Sequence, residues 1–196
     1  VQSVETTITW LPETSEYEVH SPSPEANKIY IGNAGLHGKM AVVFGQLVVG
    51  EENHGVHAIL VPIRDADLND LPGVTTTDQG HKGGLQGVDN GTIAFDHVRV
   101  PRRMLLDRHG GVGEDGIYHS EIQSKNARFF TMLGTLVRGR ICVGSGAAMA
   151  TRKALSIATR YALQRTQFRR PGTGAGVRLI EYQAHQRKLM PNIAKA

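Results

Sequence analysis

A chain of 196 residues with 40% hydrophobic content has apolar material for one large domain or parts of two, and for a sizeable core. Its single cysteine, Cys142, excludes an intrachain disulfide and a Cys-based zinc site and favours a reducing compartment, while no apolar run approaches the length of a membrane span and no signal-peptide pattern is present. The net charge of +4 hides an asymmetry: residues 1–97 carry 4 Lys/Arg against 13 Asp/Glu (net −9), and residues 98–196 carry 18 against 5 (net +13), so a basic half faces nucleotide phosphates, nucleic acid or an acidic surface, or is balanced by chain not present here.

From the N-terminus, Ser3 to Leu11 alternates Val4, Thr6, Ile8 and Trp10 with Glu5, Thr7 and Thr9, the period-two pattern of a half-buried strand. Pro12 to Ser15 turns it, and Glu16 to His20 returns as a second strand. Ser21-Pro-Ser-Pro24 is a connector, because proline lacks a donor and restricts the residue before it. Strands are expected at Lys28–Asn33, at Met40–Val49 (continuously apolar, hence buried on both faces), at Val56–Ile63, at Val74–Thr77 and at Thr92–Val100. The Gly80–Gly87 stretch is too glycine-rich for an element, and Asp89-Asn-Gly91 is a turn. Many short strands between turn signals indicate an all-β barrel or sandwich.

After Pro101 the pattern changes. Gly110–Gly116 reads as a flexible link, and Asn126–Phe168 as one long helix of roughly 60 Å with an apolar stripe through Leu133, Ile141, Leu155 and Ala162. Glycines at 139, 144 and 146 allow close approach of a neighbouring backbone. A second helix is expected near Val177–Pro191, and the helical half is expected to bury Leu133, Ile141, Leu155 and Leu179 with no strand after Ser124.

Residues able to do chemistry are sparse. Nine histidines include no His-x-x-x-His or His-Glu-x-x-His pair, so no metal site is expected. Ser145 lies inside the helix rather than on a Gly-x-Ser-x-Gly elbow, and the glycine-rich loops match no phosphate-binding fingerprint. Lys82 is a loop cation able to meet a phosphate. Asp107, Glu114, Asp115, Glu121 and Glu181 lie in loops or near helix ends, so no general base stands out.

Seven strings in order nevertheless resemble the middle β domain of acyl-CoA oxidases: Glu5-Thr-Thr7, His20-Ser-Pro-Ser-Pro24, Lys28-Ile-Tyr-Ile-Gly32, Val56 to Arg64, Leu71-Pro-Gly-Val74, Asp89-Asn-Gly91 and Phe95-Asp-His-Val-Arg-Val-Pro101. The likeness continues through Ala154–Tyr161, Arg165-Thr-Gln-Phe168 and Tyr182-Gln183, similar to the first helices of that family's C-terminal α domain. The resemblance implies an α+β chain: residues 1–105 a middle β-barrel domain, 106–123 a linker, and 124–196 the start of a C-terminal domain of long antiparallel helices. It further implies a fragment of a longer FAD enzyme, inactive alone, that converts acyl-CoA to trans-2-enoyl-CoA and passes electrons to molecular oxygen as a homodimer in fatty acid β-oxidation, peroxisomal in a eukaryote and cytoplasmic in a bacterium.

On the same resemblance, Tyr30, Ile31 and Gly32 lie beside the flavin ring, although the family's usual aromatic pair is replaced by Ile29-Tyr30. Gly32 stands where dehydrogenases present Thr and leaves room for oxygen. Arg165 and Gln167 reach the FAD pyrophosphate from the neighbouring subunit, Phe168 and Gln183 flank that cofactor, and Arg140 contacts acyl-CoA. The catalytic glutamate is expected beyond the C-terminal end, so no catalytic residue is assigned here. An acyl-CoA dehydrogenase using an electron-transfer flavoprotein is the neighbouring alternative. A non-enzymatic anion or nucleic-acid binding module would also use the basic half, but the aromatic interleaving that stacks bases is missing, so nucleic acid is not an expected partner.

Overall fold

The computed structural model describes Ser3–Ala196. These residues fall into two compact units, one ending at Leu133 and the other spanning Gly134–Ala196. The first holds β1 (Thr7–Leu11), β2 (Glu16–His20), β3 (Lys28–Gly32), β4 (Met40–Val49), β5 (Glu52–Pro62), β6 (Val74–Asp78), β7 (Asn90–Phe95), β8 (Val98–Pro101), the short β9 (Gly111–Val112) and β10 (Tyr118–His119), and helix α1 (Lys125–Leu133). The second holds α2 (Val137–Gln164), β11 (Thr166–Arg169), β12 (Gly176–Arg178) and α3 (Gln183–Lys195). The α+β organisation follows the sequence reading.

The β unit is built from two main sheets, ordered β5-β4-β1-β2-β8 and β3-β7-β6. All their pairings are antiparallel except β1 with β4, which runs parallel with Thr7 opposite Gln46. Alternation along β1 sends Ile8 and Trp10 inward, and β2 answers with Tyr17 and Val19. They join Leu47, Ile59, Val61, Ile93 and Phe95 in one core that both sheets enclose. The sheets change hands at one corner: the chain leaves β7 at Phe95, turns through Asp96-His97 and enters β8 at Val98 on the other sheet. The expected single strand Thr92–Val100 is therefore two strands.

Further expectations are corrected. β4 is not buried on both faces: Val43, Gly45 and Leu47 point inward, while Met40 and Val42 are more than half exposed. The Gly110–Gly116 link contains β9, which pairs with β10. The expected helix Asn126–Phe168 is divided, because α1 stops at Leu133, Gly134–Leu136 is a 3-10 turn and α2 ends at Gln164. Gly134 is a weak helix former at that break. Beyond α2, Arg165–Phe168 leaves the helix, and β11 pairs with β12 as a ribbon, so strands do follow Ser124. Val177 consequently lies on β12, and Pro191, expected to end the last helix, sits inside α3.

The helical unit buries little of its own apolar surface. Ala162 and Leu189 are buried and Leu133, Leu155 and Leu179 are partly so, but Ile141 is 62% exposed, contrary to expectation. A helix gains burial only from what packs on it. Within its unit α2 is met by α3, by β12 and by the short turns at either end, which cover a fraction of its length. No described helix is long and apolar enough to cross a membrane.

Candidate functional site

The β unit presents Tyr30, Ile31 and Gly32 on β3. Pairing of β3 with β7 shifts register between Lys28 and Ile31, a bulge that puts Tyr30 in the left-handed region at φ 56°. The ring is 61% exposed, while its backbone is held by Gln79 Oε1, which accepts from the Tyr30 amide at 3.2 Å. At Gly32 an added Cβ would meet nothing within 4 Å, so the surface there is open. A cavity of about 320 Å³ adjoins it, lined by Ile31, Gly32, Asn33, Ala34, Met40 and Val42 among others.

The loop that follows β3 is clamped from two sides. Asp89 Oδ2 accepts from the amides of Leu36 (3.1 Å) and His37 (3.0 Å) and lies 2.9 Å from His37 Nδ1. Burial pushes the Asp89 carboxyl up, but the His37 and Leu36 hydrogen bonds outweigh it and hold the group below the usual carboxylate range. From the other side buried Arg64 donates through Nη1 to the Gly38 carbonyl (2.9 Å) and through Nη2 to the Ala34 carbonyl, with Nε 3.2 Å from Asp70 Oδ1. Gly91 permits the approach, since a Cβ there would lie 2.4 Å from the Gly35 nitrogen. Arg64 and Asp89 thus fix the geometry beside Gly32. Their sequence strings marked a resemblance without revealing this role, because the clamp closes across 26 to 53 residues.

Lys82 is engaged internally, donating to Asn90 Oδ1 at 2.9 Å and to the Val88 carbonyl, so it is not poised for a phosphate. Another polar cluster joins β5 to α1. His57 Nδ1 lies 3.0 Å from the Gly55 carbonyl and Nε2 lies 3.0 Å from the Tyr118 hydroxyl. A neutral ring meets both if Nδ1–H donates and Nε2 accepts. Burial first, and Arg128 nearby, push the His57 pKa down to about 4 although the Gly55 carbonyl opposes them. Buried Arg128 donates to the Ile122 carbonyl at 2.8 Å and lies over the Tyr118 ring at 5.3 Å.

The helical unit assembles Arg165, Gln167, Phe168 and Gln183. Arg165 caps α2 through its amide to the Tyr161 carbonyl (2.8 Å) and accepts from the Leu179 amide (2.9 Å), which starts the ribbon. Register again shifts, between Thr166 and Arg169, and Phe168 sits on the bulge at φ 62° with 75% of its surface exposed. The Tyr182 hydroxyl donates to the Gln167 carbonyl and so brings Gln183, the first residue of α3, up to the ribbon. Glu181 pairs with two nearby arginines, Arg170 and Arg178 (Nε to Oε1 3.2 Å), offsetting one of their two charges. The Arg178 hydrogen bonds hold the Glu181 carboxyl below its usual range. No carboxylate pairs with Arg165 among the described residues, so its guanidinium is available to an external anion. Arg140 is exposed on α2 but stands 25 residues before Arg165, about 37 Å along the helix, and does not belong to this cluster.

These features define two half-sites: an open apolar shelf with an exposed tyrosine, and an arginine-bearing ribbon with an exposed phenylalanine. A model of the acyl-CoA oxidase C-alpha1 domain matches residues 133–196. The whole chain is 45% identical to a mouse acyl-coenzyme A oxidase-like protein, spanning 31% of that relative's length. It is 41% identical to the Arabidopsis thaliana peroxisomal acyl-coenzyme A oxidase 3, spanning 29% of it. The crystal structure of acyl-CoA oxidase-1 from Caenorhabditis elegans complexed with FAD and ATP superposes with a TM-score of 0.80 at 35% identity, over 99% of this chain and 28% of that one. Over its whole length the chain is similar to acyl-CoA oxidases, its last third matches their C-alpha1 domain, and it spans less than a third of the length of the relatives it matches.

Proposed function

We propose that this chain is the flavin-holding part of an FAD-dependent acyl-CoA oxidase that works as a homodimer in fatty acid β-oxidation, in the peroxisome if the source is a eukaryote. Bound FAD would accept the β-hydrogen of the acyl-CoA as hydride and deliver the electron pair to oxygen, giving trans-2-enoyl-CoA and hydrogen peroxide. The residues present suit that group. Tyr30 offers an exposed ring face on a bulge, Ile31 an apolar edge, and Gly32 an unfilled space where a side chain would otherwise stand. Arg165 would grip the pyrophosphate of the partner subunit's FAD with a bidentate fork, beside Gln167, Phe168 and Gln183. Arg140 would face the CoA moiety of the substrate. The carboxylate that removes the α-proton is not assigned to this chain.

The observation that carries this reading is Arg165, which has no carboxylate partner among the described residues, while Glu181 pairs with two other arginines of the same ribbon segment. Gly32 favours the oxidase over the dehydrogenase, because the open space beside it admits oxygen. Oxygen uptake and peroxide release by the intact protein, supplied with acyl-CoA and no dye, test the proposal. Turnover that appears only with an electron-transfer flavoprotein or dye would move the protein to the dehydrogenase class.

A further inference from the structure

We propose that His20, Asp96 and His97 form a binding site for a zinc-class divalent cation at the corner where the chain passes from the three-stranded to the five-stranded sheet. The corner is fixed by pairing of β2 with β8, Val19 opposite Val98, which sets the next residues outward, His20 and His97, side by side. Their rings stack with centroids 4.0 Å apart and planes 18° from parallel, so the two nitrogens are brought near each other but one ring must turn about its side-chain torsions before both in-plane lone pairs meet one ion. Asp96 Oδ1 lies 3.7 Å from His20 Nδ1 and 3.8 Å from His97 Nε2. Those separations are too long for hydrogen bonds. They are close to what a shared metal needs, since bonds of about 2.0–2.1 Å in a tetrahedral site put neighbouring donor atoms roughly 3.4 Å apart. All three donor atoms fall within 4.8 Å of one another.

Two further features separate this cluster from a chance meeting of polar side chains. His20 Nδ1 is buried and has no hydrogen-bond partner, so it carries an unused lone pair or an unused proton into the cluster. On the far side, Glu18 Oε1 lies 3.0 Å from His97 Nδ1. A neutral His97 that donates Nδ1–H to Glu18 would turn its Nε2 lone pair to an ion shared with Asp96, the carboxylate–histidine–metal arrangement that orients ligands in zinc sites. Asp96 and His97 are exposed at 83% and 58%, so a cation can arrive from solvent and a water can complete the coordination. Two imidazoles and one carboxylate suit zinc, with nickel and copper as competitors, rather than calcium or magnesium. The cation would tie β2 to the sheet crossing and stabilise the β unit without touching the flavin half-sites.

The test is calorimetric titration of chelator-stripped intact protein with zinc chloride, together with melting curves with and without zinc. His97 occupies φ 53°, a left-handed conformation that asparagine tolerates, so His97→Asn removes the imidazole while keeping the turn. Wild type should bind one zinc saturably and melt at higher temperature with it. His97→Asn and Asp96→Asn should lose that binding and that shift, Glu18→Gln should weaken it about ten- to a hundredfold, and His81→Ala, in an exposed loop, should leave it unchanged. Equal zinc affinity in wild type, His97→Asn and Asp96→Asn, or no saturable binding in wild type, overturns the proposal.

Discussion

The two half-sites use the same local device against opposite backgrounds. β3 and β11 each carry a bulge, and each bulge holds an exposed aromatic residue, Tyr30 or Phe168, in the left-handed region. Behind Tyr30 the loop is locked by buried Arg64 and by Asp89, in a unit whose core is closed. Behind Phe168 the ribbon is tied to α3 by one tyrosine hydroxyl, and α2 leaves Ile141, Val143, Met149 and Ile157 each more than 60% exposed. A closed scaffold makes the first half-site part of the fold, whereas the second is free to serve a ligand. Damage to the β half-site should therefore appear as lost stability, and damage to the ribbon as lost cofactor affinity with stability intact.

The largest expected effect is that of Arg64→Met. It strips the donors from the Ala34 and Gly38 carbonyls and leaves Asp70 without its ion-pair partner. Asp70 is exposed and keeps its two hydrogen bonds from Thr76, so the cost lies in the two stranded carbonyls, at roughly 1–3 kcal/mol each. Urea unfolding of the intact protein should show that loss. A midpoint close to wild type would mean that the loop beside Gly32 is not part of the fold, and the contrast between the half-sites would fail.

A pH effect of nearly that size belongs to the β unit alone. The folded pKa of His57, depressed to about 4, lies below its unfolded value, so between about pH 6.5 and 4 the unfolded chain binds a proton that the folded one does not. Stability from this group is present above pH 6.5 and is lost as pH falls through that window, by up to about 3 kcal/mol at 1.36 kcal/mol per pKa unit. His57→Gln should flatten that part of the stability profile. An unchanged slope in the variant would assign the acid sensitivity to other groups.

How far the sequence could carry this picture depended on the reach of each interaction. Strand bounds follow local apolar pattern, so Glu16–His20 and Met40–Val49 were legible to the residue, although the continuous apolar run of Met40–Val49 hid which of its faces is buried. The Asp96-His97 corner was not, because apolar residues at Phe95, Val98 and Val100 read as one strand while hydrogen bonding assigns them to two sheets. The break at Gly134 was hidden inside an apolar helical period, the two strands of the ribbon fell at the end of one expected helix and the start of the next, and the stripe through Ile141 reported an amphipathic pattern rather than a buried face. Metal-ligand spacings of three or four residues mark only pairs on one helix, whereas His20 and His97 stand 77 residues apart and meet only through strand pairing. Arg165, Gln167, Phe168 and Gln183 came from resemblance alone, and their grouping depends on the Tyr182 to Gln167 bond, which no sequence pattern displays.

Arg165→Ala should show the reverse behaviour to Arg64→Met. On the role proposed for it, the change should remove a charge-assisted contact worth roughly 1.5–3 kcal/mol, a ten- to hundredfold loss of FAD affinity, with activity recovered by excess cofactor. Unfolding should shift by no more than about 0.5 kcal/mol, as for surface positions generally. Lysine should rescue only partly, because a point charge lacks the bidentate fork. Equal FAD affinity in wild type and both variants, measured by titrating apo-protein, would remove the cofactor role from this arginine.

The smallest effect gives the sharpest comparison, because it separates stability from binding in one side chain. Phe168 combines a strained backbone at φ 62° with a ring that is 75% exposed, so the fold gains little from the ring while bearing the strain. Asparagine tolerates that conformation far better than a bulky aromatic. Phe168→Asn should therefore stabilise the intact protein by up to about 1 kcal/mol, and at the same time weaken FAD by the roughly 0.5–1.5 kcal/mol that an aromatic contact contributes. Tyr30→Asn meets the same backbone relief at φ 56°, but Tyr30 lies on the clamped side, where the shelf persists without the ring. Its FAD loss should be the smaller of the two. If Phe168→Asn destabilises the protein instead, the ring serves packing rather than ligand, and the ribbon would have to be read as a structural element like the loop held by Arg64.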